Sequence, residues 1–464
     1  MTSLRNEISM MNRRKFISQS TLSAISLLWL PQFIASCKKT TLLDDAKFPG
    51  KVIIVGAGVS GMYAAHLLKL QGVEVQILEA GDYYGGRIKS LKDFASFDIE
   101  LGAEKIRGEH SMFYDLAKST GYSFIETPQQ NFYYFNGNLK SQTEAEENTF
   151  FNVMTQLADS FDAYTGADTD AASYADSNGI SINVEHIWNA IIGNKRGTSA
   201  NRIGMFGLRS EWEKWTSGHL EFLLKDKSLN DIIEKAFANI IDDIQLNTVV
   251  QSIDFSGGKT LLTDAIGNTY EADKVIVTVP IGVLQQNLIS FTPALSESKL
   301  LAISRIGFDK GLKIILRFNT KFWSDNTSTI FGSGYVPEFR AISEGRSSDE
   351  FLLAAIVMGE NADYLSTLGD GLIPTVLNEL DFIFDNVSQF YIGHHIEDWG
   401  AQPNFRGAIS YDKPGTGKAR ETIASNLGGK VFFAGEATHT ASHHGTIQGA
   451  METALRAITE MAIV

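Results

Sequence analysis

Cysteine is almost absent: Cys37 is the single one in 464 residues. One thiol cannot close an internal disulfide, a cysteine-based zinc site or an iron–sulfur cluster. Proline is scarce, at nine. Positive charge is in deficit, with 40 Lys and Arg against 54 Asp and Glu and a formal net charge of -14. No general basic field exists to attract a phosphate backbone, which argues against nucleic acid as a partner. Also missing is an apolar run of about 20 residues, the length that spans a bilayer. What is present is an ordinary globular composition, 44% hydrophobic and 20% charged, with 41 glycines. It excludes a disordered, collagenous or polytopic membrane protein, and the length suggests two or three domains.

The N-terminus reads as an address. Arg13-Arg14 precedes Phe16, and an apolar stretch runs from Leu22 to Leu30. This resembles a twin-arginine export signal. Ile34-Ala35-Ser36-Cys37 is similar to the lipobox of bacterial lipoproteins, which implies cleavage before Cys37 and lipidation of its sulfur. The alternative is a general secretory signal or an uncleaved anchor with an incidental cysteine. The expectation is an exported protein, lipid-anchored through Cys37 to the membrane on the periplasmic side of a bacterial cell envelope.

After a polar linker the pattern changes. Lys51 to Val55 is a continuous β-branched run, the mark of a buried parallel strand. A helical pattern follows over Met62 to Leu70, then a second strand over Val73 to Leu78. This is a βαβ unit. Between strand and helix lies Gly56-Ala57-Gly58-Val59-Ser60-Gly61, a G-x-G-x-x-G in the context that makes it a dinucleotide-binding turn. The helix N-terminus beyond it offers N–H donors and a positive dipole to a pyrophosphate. Glu79, ending the second strand, can accept ribose hydroxyls and would repel a 2′-phosphate. Gly85-Gly86-Arg87 adds a cation beside two glycines, and its position points to FAD rather than NAD. Residues 110–237 read as helix-rich and aromatic. Short strand patterns return near Val249-Val250, Thr260 to Leu262, Lys274 to Pro280, Ile314 to Phe318 and Lys430 to Gly435, and a last helix covers Gly445 to Met461.

Taken together, these motifs resemble the flavin-containing amine oxidase family. Glu100-Leu101-Gly102-Ala103-Glu104, Thr278-Val279-Pro280, Ala434-Gly435-Glu436-Ala437-Thr438 and Gly445-Thr446-x-x-Gly449-Ala450 match family segments. The likeness covers most of residues 50–464 and is weakest over 110–237. It implies an α/β fold in which a Rossmann-like FAD-binding domain, with a parallel sheet, is interleaved with a mixed α+β substrate-binding domain. The expected division is 1–37 export signal, 38–49 linker, 50–109, 238–290 and 405–464 FAD-binding, and 110–237 and 291–404 substrate-binding.

The same resemblance assigns residues. Gly102 and Ala103 lie beside the flavin ring, Val250 holds adenine through its backbone, Gly435 and Glu436 face the ribityl-diphosphate arm, and Thr446 sits at the ring. FAD is expected without a covalent link, because Ala408 stands where monoamine oxidases carry the attachment cysteine. Lys313 is the lysine that holds a water near flavin N5; strand alternation alone makes it a solvated residue. Trp399 walls the pocket or packs the core. Ile409 and Thr446 replace the two aromatic rings that often frame the amine. Lys105 sits where L-amino acid oxidases place an arginine for the substrate carboxylate, with Arg107 two residues on; alternatively both are surface charges balancing Glu104 and Glu109. His439, His443 and His444 cluster near the C-terminal motif, but no metal is expected, since no acid or cysteine completes a set. The implied activity is FAD-dependent amine oxidation: hydride transfer from the carbon next to the amine nitrogen to flavin N5, imine hydrolysis, and reoxidation by O2 to H2O2 or by a cell-envelope acceptor. An L-amino acid oxidase on the same fold, and a non-catalytic flavin-bound assembly protein, are the two alternatives.

Overall fold

The computed structural model describes residues 50–463 apart from Gln129, Ser333 and Ser347. Cys37, the Arg13-Arg14 pair and the linker lie outside the described residues. Strand Lys51–Val55 occupies the middle of a five-stranded parallel sheet. Its neighbours are Glu74–Leu78 on one side and Lys274–Val277 on the other, with Ile244–Gln245 and Val431–Phe433 at the edges. Ile54 lies beside Ile77 and Ile276. All three are fully buried, which is why the sequence runs apolar without alternation. Helix Val59–Leu70 covers the sheet together with Ile447–Ile463. It starts three residues before its apolar pattern does, because the glycine motif itself supplies the first turn. A Cβ on Gly61 would fall 2.0 Å from the Gly56 carbonyl oxygen, so only glycine permits this helix to begin so close to the strand.

A second, seven-stranded sheet carries the other half of the site. Its order is Tyr391–Asp398, Gly311–Phe318, Phe351–Met358, Glu338–Ala341, Thr327–Phe331, Gln130–Phe135 and Asn138–Ser141. One face packs on helix Leu372–Phe384 through Leu312, Ile314, Leu316, Val357 and Phe339. The other face presents a row of register partners, Lys313, Ile356, Glu338, Phe331 and Tyr133. Arg340 and Thr329 are paired two residues further along the same face. Strand Phe351–Met358 lies centrally and is buried on both faces, so its run FLLAAIVM shows no alternation to separate it from a helix.

Residues 110–237 do form helices, among them Met112–Ser119, Thr149–Ala158, Ile182–Trp188, Met205–Lys214 and Leu229–Ala236. Phe151, Phe161 and Trp188 fill a core shared by Thr149–Ala158, Ile182–Trp188 and Met205–Lys214. After Ile182–Trp188 the helix widens into a π-turn over Asn189–Gly193 and tightens into a 3-10 turn over Asn194–Arg196. Gly197, at φ +82°, ends it, and a Cβ there would meet Ile409 Cβ at 2.5 Å. Among the described residues, no helix is long and apolar enough to cross a membrane.

Candidate active site

A cavity of about 610 Å3 runs from the glycine loop to the charged face of the seven-stranded sheet. At its first end the two glycine motifs meet: the Gly85 N–H donates to the Ala57 carbonyl at 2.8 Å, and Gly58 bridges Gly85. A Cβ on Gly58 would meet nothing within 4 Å, so open space lies in front of the first turn of the helix, whose cap Gly58 has no side chain to offer. Glu79 Oε2 accepts the Ala57 N–H at 2.6 Å and Oε1 the Gly81 N–H at 2.7 Å. Burial pushes the Glu79 carboxyl up, against the pull of those N–H groups. Two lone pairs per oxygen leave it room for further donors. Ser60 Oγ and Gln448 Nε2 line this cavity, are buried, and find no partner among the described residues. Orphaned polar atoms of this kind call for a bound group, and a dinucleotide's phosphates and sugars supply the acceptors and donors they lack. The residues present fit FAD.

Arg87 is less free than its sequence position suggests. Its Nη1 donates to the Ala408 carbonyl at 2.7 Å and to Glu436 Oε1 at 2.9 Å. Glu436 also accepts from Ser410 Oγ at 2.6 Å and the Gly445 N–H at 2.8 Å. Burial opposes its charge, but Arg87 and these donors outweigh that and hold its carboxyl low. Val59, Gly86, Gly102, Ala103, Val250 and Gly435 all line the cavity. Thr446 lines it too, but its hydroxyl donates to the His443 carbonyl at 2.6 Å and accepts the Gly449 N–H at 3.0 Å. That hydroxyl is committed to starting the last helix.

At the other end, Lys313 is 4% exposed, which overturns the solvated-strand reading: both faces of its strand are covered. Its Nζ donates to Glu104 Oε2 at 2.5 Å. Arg340 Nη1 lies 3.5 Å from the same oxygen, and Arg340 Nε pairs with Glu338 at 2.5 Å. Burial works against the Glu104 charge, yet Lys313, Arg340 and Lys105 together hold its carboxyl well below the usual carboxylate range. Lys105 is half-buried and Arg107 exposed, and the carboxylate that pairs with them is neither Glu104 nor Glu109. Both turn to Glu221, at 2.8 and 3.4 Å, and Arg107 also lies over the Trp215 ring. Burial notwithstanding, Lys105 and then Arg107 bring the Glu221 carboxyl down to about 2. Glu109 instead accepts the Leu220 N–H at 2.9 Å.

Trp399 serves both of its expected roles. It lines the cavity, packs edge-on to Phe405 and against Ala408, and donates Nε1–H to the Leu101 carbonyl at 3.1 Å. Ile409 reaches the cavity beside Gly197 and Gly445. The histidine cluster needs a correction: an acid does complete it. Glu452, from the last helix, lies 2.7 Å from His439 Nε2 and 2.9 Å from His443 Nδ1. Sequence separation concealed this. His439 Nδ1 accepts the Ala441 N–H, so Nε2 carries the proton directed at Glu452, and the trio is a hydrogen-bonded relay in this arrangement. His443 extends it to Ser217 Oγ at 3.1 Å. Glu338, Arg340 and Glu221 went unrecognised in the sequence. The signal available for the first two was the charged i, i+2 pair in the strand pattern Glu338-Phe339-Arg340, which puts both charges on one face.

A dinucleotide cradle joined to a charged chamber is the arrangement of a flavoprotein oxidoreductase. Residues 230–462, half of the chain, match the family described as flavin containing amine oxidoreductase, and residues 54–119 match the NAD(P)-binding Rossmann-like domain. The chain belongs to the flavin containing amine oxidoreductase family, and its cofactor is FAD. It is similar to lysine-specific histone demethylase 1B of Mus musculus, with 26% identity over 89% of this chain and 52% of that protein; the chain thus spans about half that relative's length. It is also similar to an L-amino-acid oxidase of Siganus canaliculatus, with 27% identity over 88% of this chain and 85% of that one. In fold it resembles cyclohexylamine oxidase from Brevibacterium oxydans, with a TM-score of 0.76 and 20% identity, over 89% of this chain and 99% of that one.

Proposed function

We propose that this protein oxidises a small-molecule amine at the carbon next to the nitrogen, releasing the product after hydrolysis of an imine. When bound, FAD supplies the two-electron acceptor for the hydride of that carbon. The chain's residues do the rest. Glu79 and the helix start at Gly58 bind the ribose and pyrophosphate. Glu104 fixes the Lys313 ammonium, so that its remaining N–H groups can hold a water at the far end of the cavity. Trp399 and Ile409 exclude bulk water from the reacting centre. The observation that carries this reading is the buried Lys313–Glu104 pair on the wall of a cavity continuous with the glycine cradle.

Reoxidation is assigned to O2, giving H2O2, or to an acceptor in the cell envelope. Export through Arg13-Arg14 and lipid anchoring at Cys37 belong to the same proposal, as does the division into interleaved FAD-binding and substrate-binding domains. The test is anaerobic mixing of the holoenzyme with polyamines, arylalkyl amines and L-amino acids. Bleaching of the flavin absorbance by at least one class is expected. Bleaching by dithionite but by none of these would instead favour a non-catalytic flavoprotein.

A further inference from the structure

The chamber beyond the cofactor cradle is richly charged, and its charges do not balance. Glu104 is taken by Lys313 and Arg340, Glu221 by Lys105 and Arg107, and Glu338 by Arg340. With Glu211, paired to Arg196 at 2.7 Å on the same wall, four carboxylates face six cations once Lys195 is included, since Lys195 also lines the cavity. Lys195 has no carboxylate within 4.0 Å among the described residues. Its ammonium lies over the Phe331 ring, 5.3 Å from the centroid. Lys195 is exposed to water and lines the cavity.

Its place is fixed by its neighbours. Asn194 Nδ2 donates to the Ile356 carbonyl at 3.1 Å and to Glu338 at 3.3 Å, while its Oδ1 accepts the Met358 N–H at 2.8 Å. Gly197 then turns the chain away in a left-handed conformation. Lys195 is therefore carried on the chamber wall by a turn bolted to strand Phe351–Met358, and its ammonium has no carboxylate partner among the described residues. Burial lowers its pKa below the ordinary lysine value, and Glu338 and Glu221 only partly restore it. An anion would relieve that cost, whereas a second cation would add to it.

We propose that Lys195 anchors an anionic group of the substrate, so that the amine oxidised here carries a carboxylate. This rests on the amine-oxidising function proposed above and names its substrate class. Lys105, the cation that sequence likeness singles out for this task, is already neutralised by Glu221. Lys195 comes from a different element and is free.

The experiment compares matched pairs, tyrosine with tyramine and lysine with cadaverine, as anaerobic reductants of the wild-type holoenzyme and of Lys195→Gln, Lys195→Arg and Lys105→Gln. The carboxylate member should half-saturate at a concentration roughly ten- to a hundredfold lower, the span of one charge-assisted hydrogen bond. Lys195→Gln should erase that preference at unchanged FAD content, and Lys195→Arg should keep it. Equal saturation by both members, or a preference abolished by Lys105→Gln and kept by Lys195→Gln, would overturn the assignment. A second readout needs neither turnover nor a folded variant: phenylacetate, but not phenylacetamide, should perturb the wild-type flavin spectrum. If phenylacetate does so while no amine bleaches the flavin, the anion site stands and amine oxidation falls. If amines bleach it without preference and phenylacetate is ignored, the anion site falls and the oxidase remains.

Discussion

Lys313 and Glu100 show how burial decides what a charged residue does. Lys313 alternates with apolar neighbours as a solvated strand lysine would, and only the second layer over its face, carrying Glu104, makes it an internal cation. Replacing Lys313 with Met should leave FAD bound and slow flavin reduction at least tenfold, because the water it orients is lost. Stopped-flow traces of both half-reactions check this; wild-type rates would leave Lys313 a purely structural partner of Glu104. Glu100 is 5% exposed, accepts the Leu229 N–H at 2.6 Å and Ser90 Oγ at 3.1 Å, and has its carboxyl pushed up to about 8 by burial. The folded state thus keeps a proton that the unfolded chain releases near pH 4.5. The stability this contributes is full below that pH and is lost as pH rises to about 8, at up to ~1.4 kcal/mol per pH unit. Glu100→Gln should flatten that segment of the Tm–pH curve and raise Tm at pH 8; a variant whose curve runs parallel to the wild type would refute the assignment.

Elements with a local reason to form were legible from the sequence, and those made by distant partners were not. The βαβ unit announced itself through Lys51 to Val55 and the glycine turn. Gly56, Gly61 and Glu79 were legible for the same reason, since the turn chemistry lies within one short stretch. Strand Phe351–Met358 was not, because burial on both faces removes alternation. Nor was the Glu452 contact to two histidines, or the free state of Lys195, since pairing among charges far apart in sequence is set by tertiary packing. The 2.0 Å approach at Gly61 yields a prediction at this scale. Gly61→Ala forces helix Val59–Leu70 away from its strand, at a cost of ~1–3 kcal/mol. Both FAD content and Tm should fall. A variant that keeps wild-type FAD content after dialysis would show that the loop has slack.

For the whole molecule, charge and thiol content set the expectations. The chain carries a formal net charge of -14, yet the chamber wall carries more cations than carboxylates, which favours an anion there over a further cation. Acid precipitation should release the flavin into the supernatant. Ala408 has no sulfur to bond it, and the single cysteine of the sequence, Cys37, lies outside the described residues. Yellow colour retained in the pellet would point to an unforeseen covalent link.

The five-stranded sheet takes its strands from three distant stretches of chain, of which Val431–Phe433 lies furthest along the sequence. The cradle for FAD closes only when Gly435, Glu436 and Thr446 come to lie opposite a glycine loop made some 380 residues earlier. Such closure has high contact order and is slow. A chain lacking residues 431–463 can hold its first βαβ unit but has no finished seat for the cofactor. A complete seat for the flavin therefore requires residues 431–463, and removing them should be as damaging to cofactor retention as damage to the glycine loop itself.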